Sequence, residues 1–224
     1  MAAFRIFIAD DHEVVRKGLC ALLQAEPGWE ICGEAENGRE ATEKIRDLKP
    51  DVSILDIGMP GLNGLEATRQ IMKEEPRAKV LILTCHDSDQ VVRDVLNAGA
   101  RGFLLKSDAA RDLVVAVEAL RRDKTYFTSK VAAMVLEGYL KSGTKTAAIS
   151  LGRDRLTPRE REVVQLLAEG KSTKEVAVAL GLSVKTAETH RSNIMRKLQL
   201  HSVSDLVLYA VRNNIVHVVQ PTIE

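Results

Sequence analysis

Asp10, Asp11, Asp56, Thr84 and Lys106 each fall at the end of a short apolar run of the chain. Together they offer three carboxylates, one hydroxyl and one ammonium. Carboxylate oxygens suit a hard divalent cation such as Mg²⁺, which keeps several waters and uses one or two carboxylates directly. A remaining carboxylate can attack a phosphoryl donor and become an acyl phosphate. That reaction gathers negative charge at one point, so it needs positioning and charge neutralisation more than covalent help. Lys106 can approach the phosphoryl oxygens as a point charge, and Thr84 can donate its hydroxyl to another. Without metal the three carboxylates repel, which raises at least one pKa.

Each residue also has a plainer role. A strand-end Asp is usually a helix N-cap, a Thr there a cap or turn residue, and a Lys a solvated loop residue. The set gains meaning only if the fold brings all five to one edge. Phe4 to Ala9, Trp29 to Gly33, Val52 to Leu55, Lys79 to Leu83 and Gly102 to Leu105 read as five short strands, most of them continuously apolar as buried parallel strands are. Helical patterns lie between and after them at His12–Gln24, Arg39–Leu48, Gly64–Lys73, Ser88–Asn97 and Ala109–Arg121. Strict alternation with right-handed crossovers predicts an α/β fold, a flavodoxin-like doubly wound five-stranded parallel sheet of order 2-1-3-4-5. In that order the ends of strands 1 and 3 are neighbours, so Asp10 and Asp11 meet Asp56. Ligands of such sheets bind outside the carboxyl ends of the strands. After VSIL and before IGMPG, Asp56 stands where a nucleophile would, with Pro60 and Gly61 turning the chain away.

Beyond this unit, at 1–125, a helix is expected from Ser129 to Leu140, followed by the small, polar stretch SGTKTAAISLG. Residues 126–153 therefore read as a helix plus flexible linker, the linker itself at about 141–153. The remainder, 154–224, carries no strand signal. Thr157-Pro158-Arg159-Glu160 and Ser172-Thr173-Lys174-Glu175 are capping boxes, and Gly170 and Gly181 sit where helices end. Leu182-Ser183 restarts a helix to about Leu198, and Ser202 opens the last one. Two helices joined through Gly-Leu-Ser, the second rich in Lys, Arg, His and Thr, match a helix-turn-helix. Val184, Ala187, Ile194, Met195 and Leu198 form its expected buried stripe. Glu188, Thr189 and Ser192 in its exposed early turns are candidates for base readout. Lys171, Lys174, Lys185, Arg191 and Arg196 are candidate phosphate anchors, which position without specifying. In the last helix Val203, Leu206, Val207 and Ala210 are core candidates, with any leftover apolar face free to pair two subunits.

Charge supports this division weakly. Residues 1–140 hold 19 Lys and Arg against 23 Asp and Glu, and residues 153–224 hold 11 against 8, within an overall net charge of +1. Three cysteines without CxxC or zinc spacing indicate a reducing, cytoplasmic compartment. The start lacks the apolar core of a signal peptide, and no uncharged apolar stretch is long enough for a membrane span. His12 follows the acidic pair, but imidazole does not suit a hard oxygen site.

The runs IADDHEVVRKGL, ILDIGMPGLNG, ILTCHDS and GFLLKS resemble the receiver domain of two-component response regulators over roughly 3–125. The stretch from LTPREREVV to KLQLHS resembles the LuxR-type helix-turn-helix over about 154–217, and the whole chain resembles the NarL/FixJ group. The resemblance implies Asp56 as phosphoacceptor, Asp11 as direct Mg²⁺ ligand, Asp10 as a ligand through water, and the Gly58 carbonyl completing the shell. It implies Thr84 and Lys106 as phosphate contacts and Phe103 as the aromatic of the switch, with Thr84 and Phe103 drawn inward on phosphorylation. Cys85 stands where the family usually has a smaller residue, and His86 where members tune hydrolysis. The implied partners are a sensor histidine kinase, double-stranded DNA and a second copy of the chain in an active homodimer, without a membrane. An alternative is a stand-alone aspartyl-phosphate phosphatase or phosphotransferase with an accessory helical domain. That enzyme would place an acid two residues after its nucleophile, where this chain has Gly58. A flavin site would need a Ser/Thr/Gly phosphate loop after the first strand, where Asp-Asp-His-Glu would repel the phosphate.

Overall fold

The computed structural model describes residues 3–86, 88–127 and 156–216. They fall in two compact units, divided between Leu151 and Gly152. The expected helix at Ser129–Leu140 and the linker at 141–153 lie outside the described residues.

The first unit alternates strand and helix: β1 Phe4–Ala9, α1 Glu13–Gln24, β2 Trp29–Ala35, α2 Gly38–Leu48, β3 Val52–Asp56, α3 Gly64–Glu74, β4 Val80–Thr84, α4 Asp89–Ala98, β5 Gly102–Leu105 and α5 Ala109–Arg121. The sheet is parallel with order β2-β1-β3-β4-β5, as the alternation predicts. Side chains of a strand alternate between faces, and both faces here are apolar. Phe7, Leu55, Val80, Ile82 and Phe103 point to the face covered by α2, α3 and α4. Ile6, Ile8, Val52, Ile54, Leu81 and Leu83 point to the face covered by α1 and α5. Full burial of such side chains stabilises by about 1.5–3 kcal/mol each, which fixes the register and carries the strand ends to one edge.

Loop chemistry sets the helix starts. Asn37, Asn63 and Ser88 cap α2, α3 and α4 by accepting the amides of Glu40, Glu66 and Val91. α1 has no side-chain cap from His12; instead Asp10 Oδ1 accepts the His12 amide at 2.9 Å.

The second unit has four helices, α6 Pro158–Ala168, α7 Thr173–Ala179, α8 Val184–Leu198 and α9 Val203–Arg212, around one apolar cluster. Thr157 with Glu160, Ser172 with Glu175 and Ser202 with Asp205 form capping boxes, the first with Pro158 at the start of its helix. Gly170 and Gly181 take the left-handed conformation, φ 86° and 62°, that ends helices. Two core expectations change. Val184 is 40% and Val203 48% exposed, because each is the first residue of its helix and lies beyond the packed turns. Met195 and Val207 are half-buried, and Ala187, Ile194, Leu198, Leu206 and Ala210 form the core.

Candidate functional site: an acidic pocket and a helix-turn-helix face

The ends of β1, β3 and β4 and the turn after β5 bring Asp10, Asp11, Asp56, Thr84 and Lys106 to the carboxyl edge of one sheet. Asp10 is fully buried, Asp56 and Thr84 nearly so, and Asp11 faces solvent. Carboxylate oxygens of Asp10, Asp11 and Asp56 and a ring nitrogen of His12 all lie within 4.8 Å of one another. Lys106 follows β5 in a short 3-10 turn and reaches inward. Its Nζ lies 2.7 Å from Asp10 Oδ2 and 3.0 Å from Asp56 Oδ2.

Asp10 Oδ2 is buried and, apart from the closeness of Lys106, has no well-aligned hydrogen bond. Asp56 is better held, since the Gly58 amide also reaches its carboxylate. Burial pushes the Asp56 pKa up; Lys106 opposes this, Asp10 adds to it, and the outcome is a carboxyl above its ordinary range. Burial works against the Lys106 charge, but Asp56 and Asp10 outweigh it and raise the Lys106 pKa. The pocket thus holds more negative charge than one ammonium offsets. Three oxygen donors in one cluster and an under-satisfied buried Asp10 oxygen fit a hard divalent cation. His12 stands beside that cluster with Nδ1 2.8 Å from Asp11 Oδ1, half out in solvent.

Thr84 Oγ1 accepts the His86 amide at 3.1 Å. Phe103 is 2% exposed and packed in the core beneath α2 to α4. Both side chains are buried in this structure. Cys85 and His86 are exposed beside the pocket.

Arg16 is a site residue that sequence inspection missed. It is 5% exposed, donates to the Asp10 carbonyl at 2.7 Å, and pairs with Glu34 at 3.1 Å and Glu36 at 2.8 Å. Burial works against its charge, yet the two glutamates outweigh that and raise its pKa. Glu34 lies near the end of β2 and Glu36 just after it, so both reach Arg16 only through the pairing of β2 with β1.

In the second unit α7, the turn through Gly181 and Leu182, and α8 form the helix-turn-helix. Ser183 caps α8 by accepting the Thr186 amide at 3.0 Å. Lys185, Glu188, Thr189, Ser192 and Arg196 are exposed along α8, and Lys171 and Lys174 are exposed at the start of α7. Thr189 turns its hydroxyl back to the Lys185 carbonyl at 2.9 Å, and Arg196 donates to Asn193 at 2.9 Å. Arg191 is half-buried and donates to Thr173 at 3.2 Å, which ties α8 to α7.

An acidic pocket at the carboxyl edge of a doubly wound sheet, joined in one chain to a helix-turn-helix, is the arrangement of a response regulator. The profile described as response regulator receiver domain matches residues 6–118, and that of bacterial regulatory proteins of the luxR family matches residues 154–210. The chain is 39% identical over 213 residues to the transcriptional regulatory protein LiaR of Bacillus subtilis (strain 168), covering 95% of this chain and 99% of that one. It is 37% identical over 215 residues to the oxygen regulatory protein NreC of Staphylococcus epidermidis (strain RP62A), covering 94% and 98%. Among solved structures it is similar to RcsB of Salmonella enterica serovar Typhimurium bound to promoter rprA in the presence of phosphomimetic BeF3-, with TM-score 0.59, 27% identity and coverage of 92% and 98%. It is similar also to an RcsB–DNA complex, with TM-score 0.56, 28% identity and coverage of 94% and 98%. The chain belongs to the NarL/FixJ family of response regulators, transcriptional regulators with a receiver domain and a LuxR-type DNA-binding domain. Among the described residues no helix is long and apolar enough to cross a membrane.

Proposed function

We propose that Asp56 accepts a phosphoryl group from a sensor histidine kinase in the cytoplasm and that this acyl phosphate controls DNA binding by the second unit. The observation that carries this is the placement of Lys106 between two buried carboxylates, Asp10 and Asp56, at the mouth of the sheet. Asp10, Asp11, Asp56 and the Gly58 carbonyl would hold Mg²⁺, which neutralises charge on the incoming phosphoryl oxygens. Asp56 Oδ attacks phosphorus in line; the oxygen–phosphorus bond forms as the phosphorus–nitrogen bond to the kinase imidazole breaks. The Lys106 ammonium follows the charge from the carboxylate to a phosphoryl oxygen. Thr84 donates its hydroxyl to another, and Phe103 behind it transmits the rearrangement. The same atoms support self-phosphorylation by a small acyl phosphate and slow self-dephosphorylation by water. Gly58 supplies no general acid, which argues against the phosphatase alternative.

The domain assignment is receiver at 1–125, helix and linker at 126–153, and DNA-binding domain at 154–224. Glu188, Thr189 and Ser192 read bases; Lys171, Lys174, Lys185, Arg191 and Arg196 anchor phosphates, Arg191 while held by Thr173. Active protein binds paired half-sites as a homodimer, for which Val203 and Leu208, 48% and 53% exposed on α9, offer apolar surface.

Acetyl phosphate with Mg²⁺ is expected to give a base-labile phosphoprotein, and Asp56→Asn to give none. Retained labelling in that variant would falsify the assignment of Asp56. In DNA binding, Lys185→Ala should weaken all sequences alike and reduce the salt dependence by about one counterion. Glu188→Ala should change base preference at one position, by about 1–3 kcal/mol. Equal, sequence-independent losses from both variants would refute the division into readers and anchors.

A further inference from the structure

At the edge of the sheet opposite Asp56, the amino ends of β3 and β4 and the carboxyl halves of α2 and α3 enclose a cavity of about 450 Å³. Small-molecule sites occupy roughly 300–1,000 Å³. Ile45, Pro50, Ile71 and Ala78 give it apolar walls. Ser53 lies among them and is 3% exposed. On β3 it points the same way as Leu55, and its lateral neighbours Phe7 and Val80 are core residues of that face. A close-packed core would carry an apolar side chain here. The Ser53 hydroxyl makes no side-chain hydrogen bond within the described protein and opens onto the cavity. A nearly buried hydroxyl without a protein partner is left to water or to a bound group that enters the cavity.

The rim carries Arg46, Lys49, Arg77 and Lys79 alongside Asp51, Glu74 and Glu75. Arg46 is engaged by Glu74 at 2.8 Å, and Lys79 by Asp123 at 2.7 Å. Lys49 and Arg77 form no ion pair among the described residues. Asp51 accepts the Arg5 amide at 2.8 Å and Glu75 the Arg77 amide at 3.3 Å, which holds both carboxylates in place while they keep their charge. Lys49 also adopts the left-handed conformation, φ 46°, at the end of α2, where glycine or asparagine is the ordinary choice.

The geometry points to a binding site for a small amphipathic anion: an apolar body between α2 and α3, a polar atom meeting Ser53, and one carboxylate or sulfonate between Lys49 and Arg77. The site lies on β3, the strand that ends in Asp56, but uses none of the phosphoryl-transfer residues.

The test titrates the full chain with 8-anilinonaphthalene-1-sulfonate, followed by fluorescence and by amide chemical shifts. Saturable single-site binding is expected, with shifts confined to the surroundings of Ile45, Lys49, Ser53, Ile71 and Ala78. Ser53→Leu fills the cavity with an apolar side chain and should abolish the binding. Lys49→Glu combined with Arg77→Glu should weaken it about tenfold or more, as should use of the uncharged analogue N-phenyl-1-naphthylamine. Unchanged affinity in either variant, equal affinity for the uncharged analogue, or shifts centred elsewhere overturns the proposal. Labelling of Asp56 by acetyl phosphate should persist in both variants, so the cavity and the phosphoacceptor are tested separately.

Discussion

Lys106→Ala is expected to destabilise the first unit by about 3–5 kcal/mol at neutral pH, the usual effect of removing one partner from a buried ion pair. Lys106 is the cation that lies within 3.0 Å of both Asp10 and Asp56. Its removal leaves two carboxylates facing each other, one fully buried and one nearly so. The pH dependence follows from the directions of the shifts. The Asp56 pKa already stands above its unfolded value and rises further without Lys106. A carboxyl with a raised folded pKa does not penalise folding below its unfolded pKa. The penalty grows as pH rises toward the folded pKa and is complete above it. The Lys106 pKa is raised as well by Asp56 and Asp10, so in the parent its stabilisation holds at neutral pH, is lost above its elevated pKa, and fades in acid as those carboxylates take up protons. The deficit of the variant should therefore be small in acid and grow as pH rises from the ordinary carboxylate range, about 4, towards and past neutrality. In thermal melts it amounts to a fall on the order of 10 °C, partly recovered by Mg²⁺, which replaces the missing positive charge. A deficit that does not vary with pH would show that Lys106 supports the unit by packing rather than by charge.

The architecture and the five strand-end residues were legible because they depend on local patterns. Continuous apolar runs, their alternation with helical spacing, and capping boxes act over a few residues, and the crossover rule does the rest. Arg16 was not legible in this way. Its role exists only once β2 lies beside β1 and Glu34 and Glu36 arrive next to the Asp10 carbonyl. Period-based inspection treats Arg16 as a residue on the polar side of α1. Phe103 could be placed in the sequence but not in its rotamer, since burial under α4 is settled by tertiary packing. Val184 and Val203 mark the opposite failure. Apolar type and helical spacing were right, but the first residue of a short helix often overhangs the core it helps to aim. Ser53 was hidden because one hydroxyl in VSILD reads as ordinary strand variation until the volume beside it is known.

Gly64→Ala should be the most damaging single methyl group near Asp56. Gly64 opens α3, where alanine would ordinarily gain about 1 kcal/mol over glycine. Here an added Cβ would lie 2.0 Å from the Asp56 carbonyl oxygen and 2.8 Å from its carbon. Both are backbone atoms of a central strand, so no flexible side chain can move aside. The Gly64 amide is also bound to the Ile57 carbonyl at 3.1 Å, and Asn63 fixes the first turn through the Glu66 amide at 2.9 Å. Relief must come from lifting the first turn of α3 or bending the end of β3, either of which moves the Asp56 side chain. The overpacking cost, about 3 kcal/mol, exceeds the gain in helix propensity, so the net effect is destabilising. Labelling by acetyl phosphate should slow with it, since small misplacement of a reacting group costs heavily in rate. Gly61→Ala is the control. Gly61 has φ 73° and nothing within 4 Å of an added Cβ, so its substitution meets only left-handed backbone strain of about 1–2 kcal/mol. If urea melts rank Gly64→Ala as the milder of the two, the contact with the Asp56 carbonyl does not hold α3 in place.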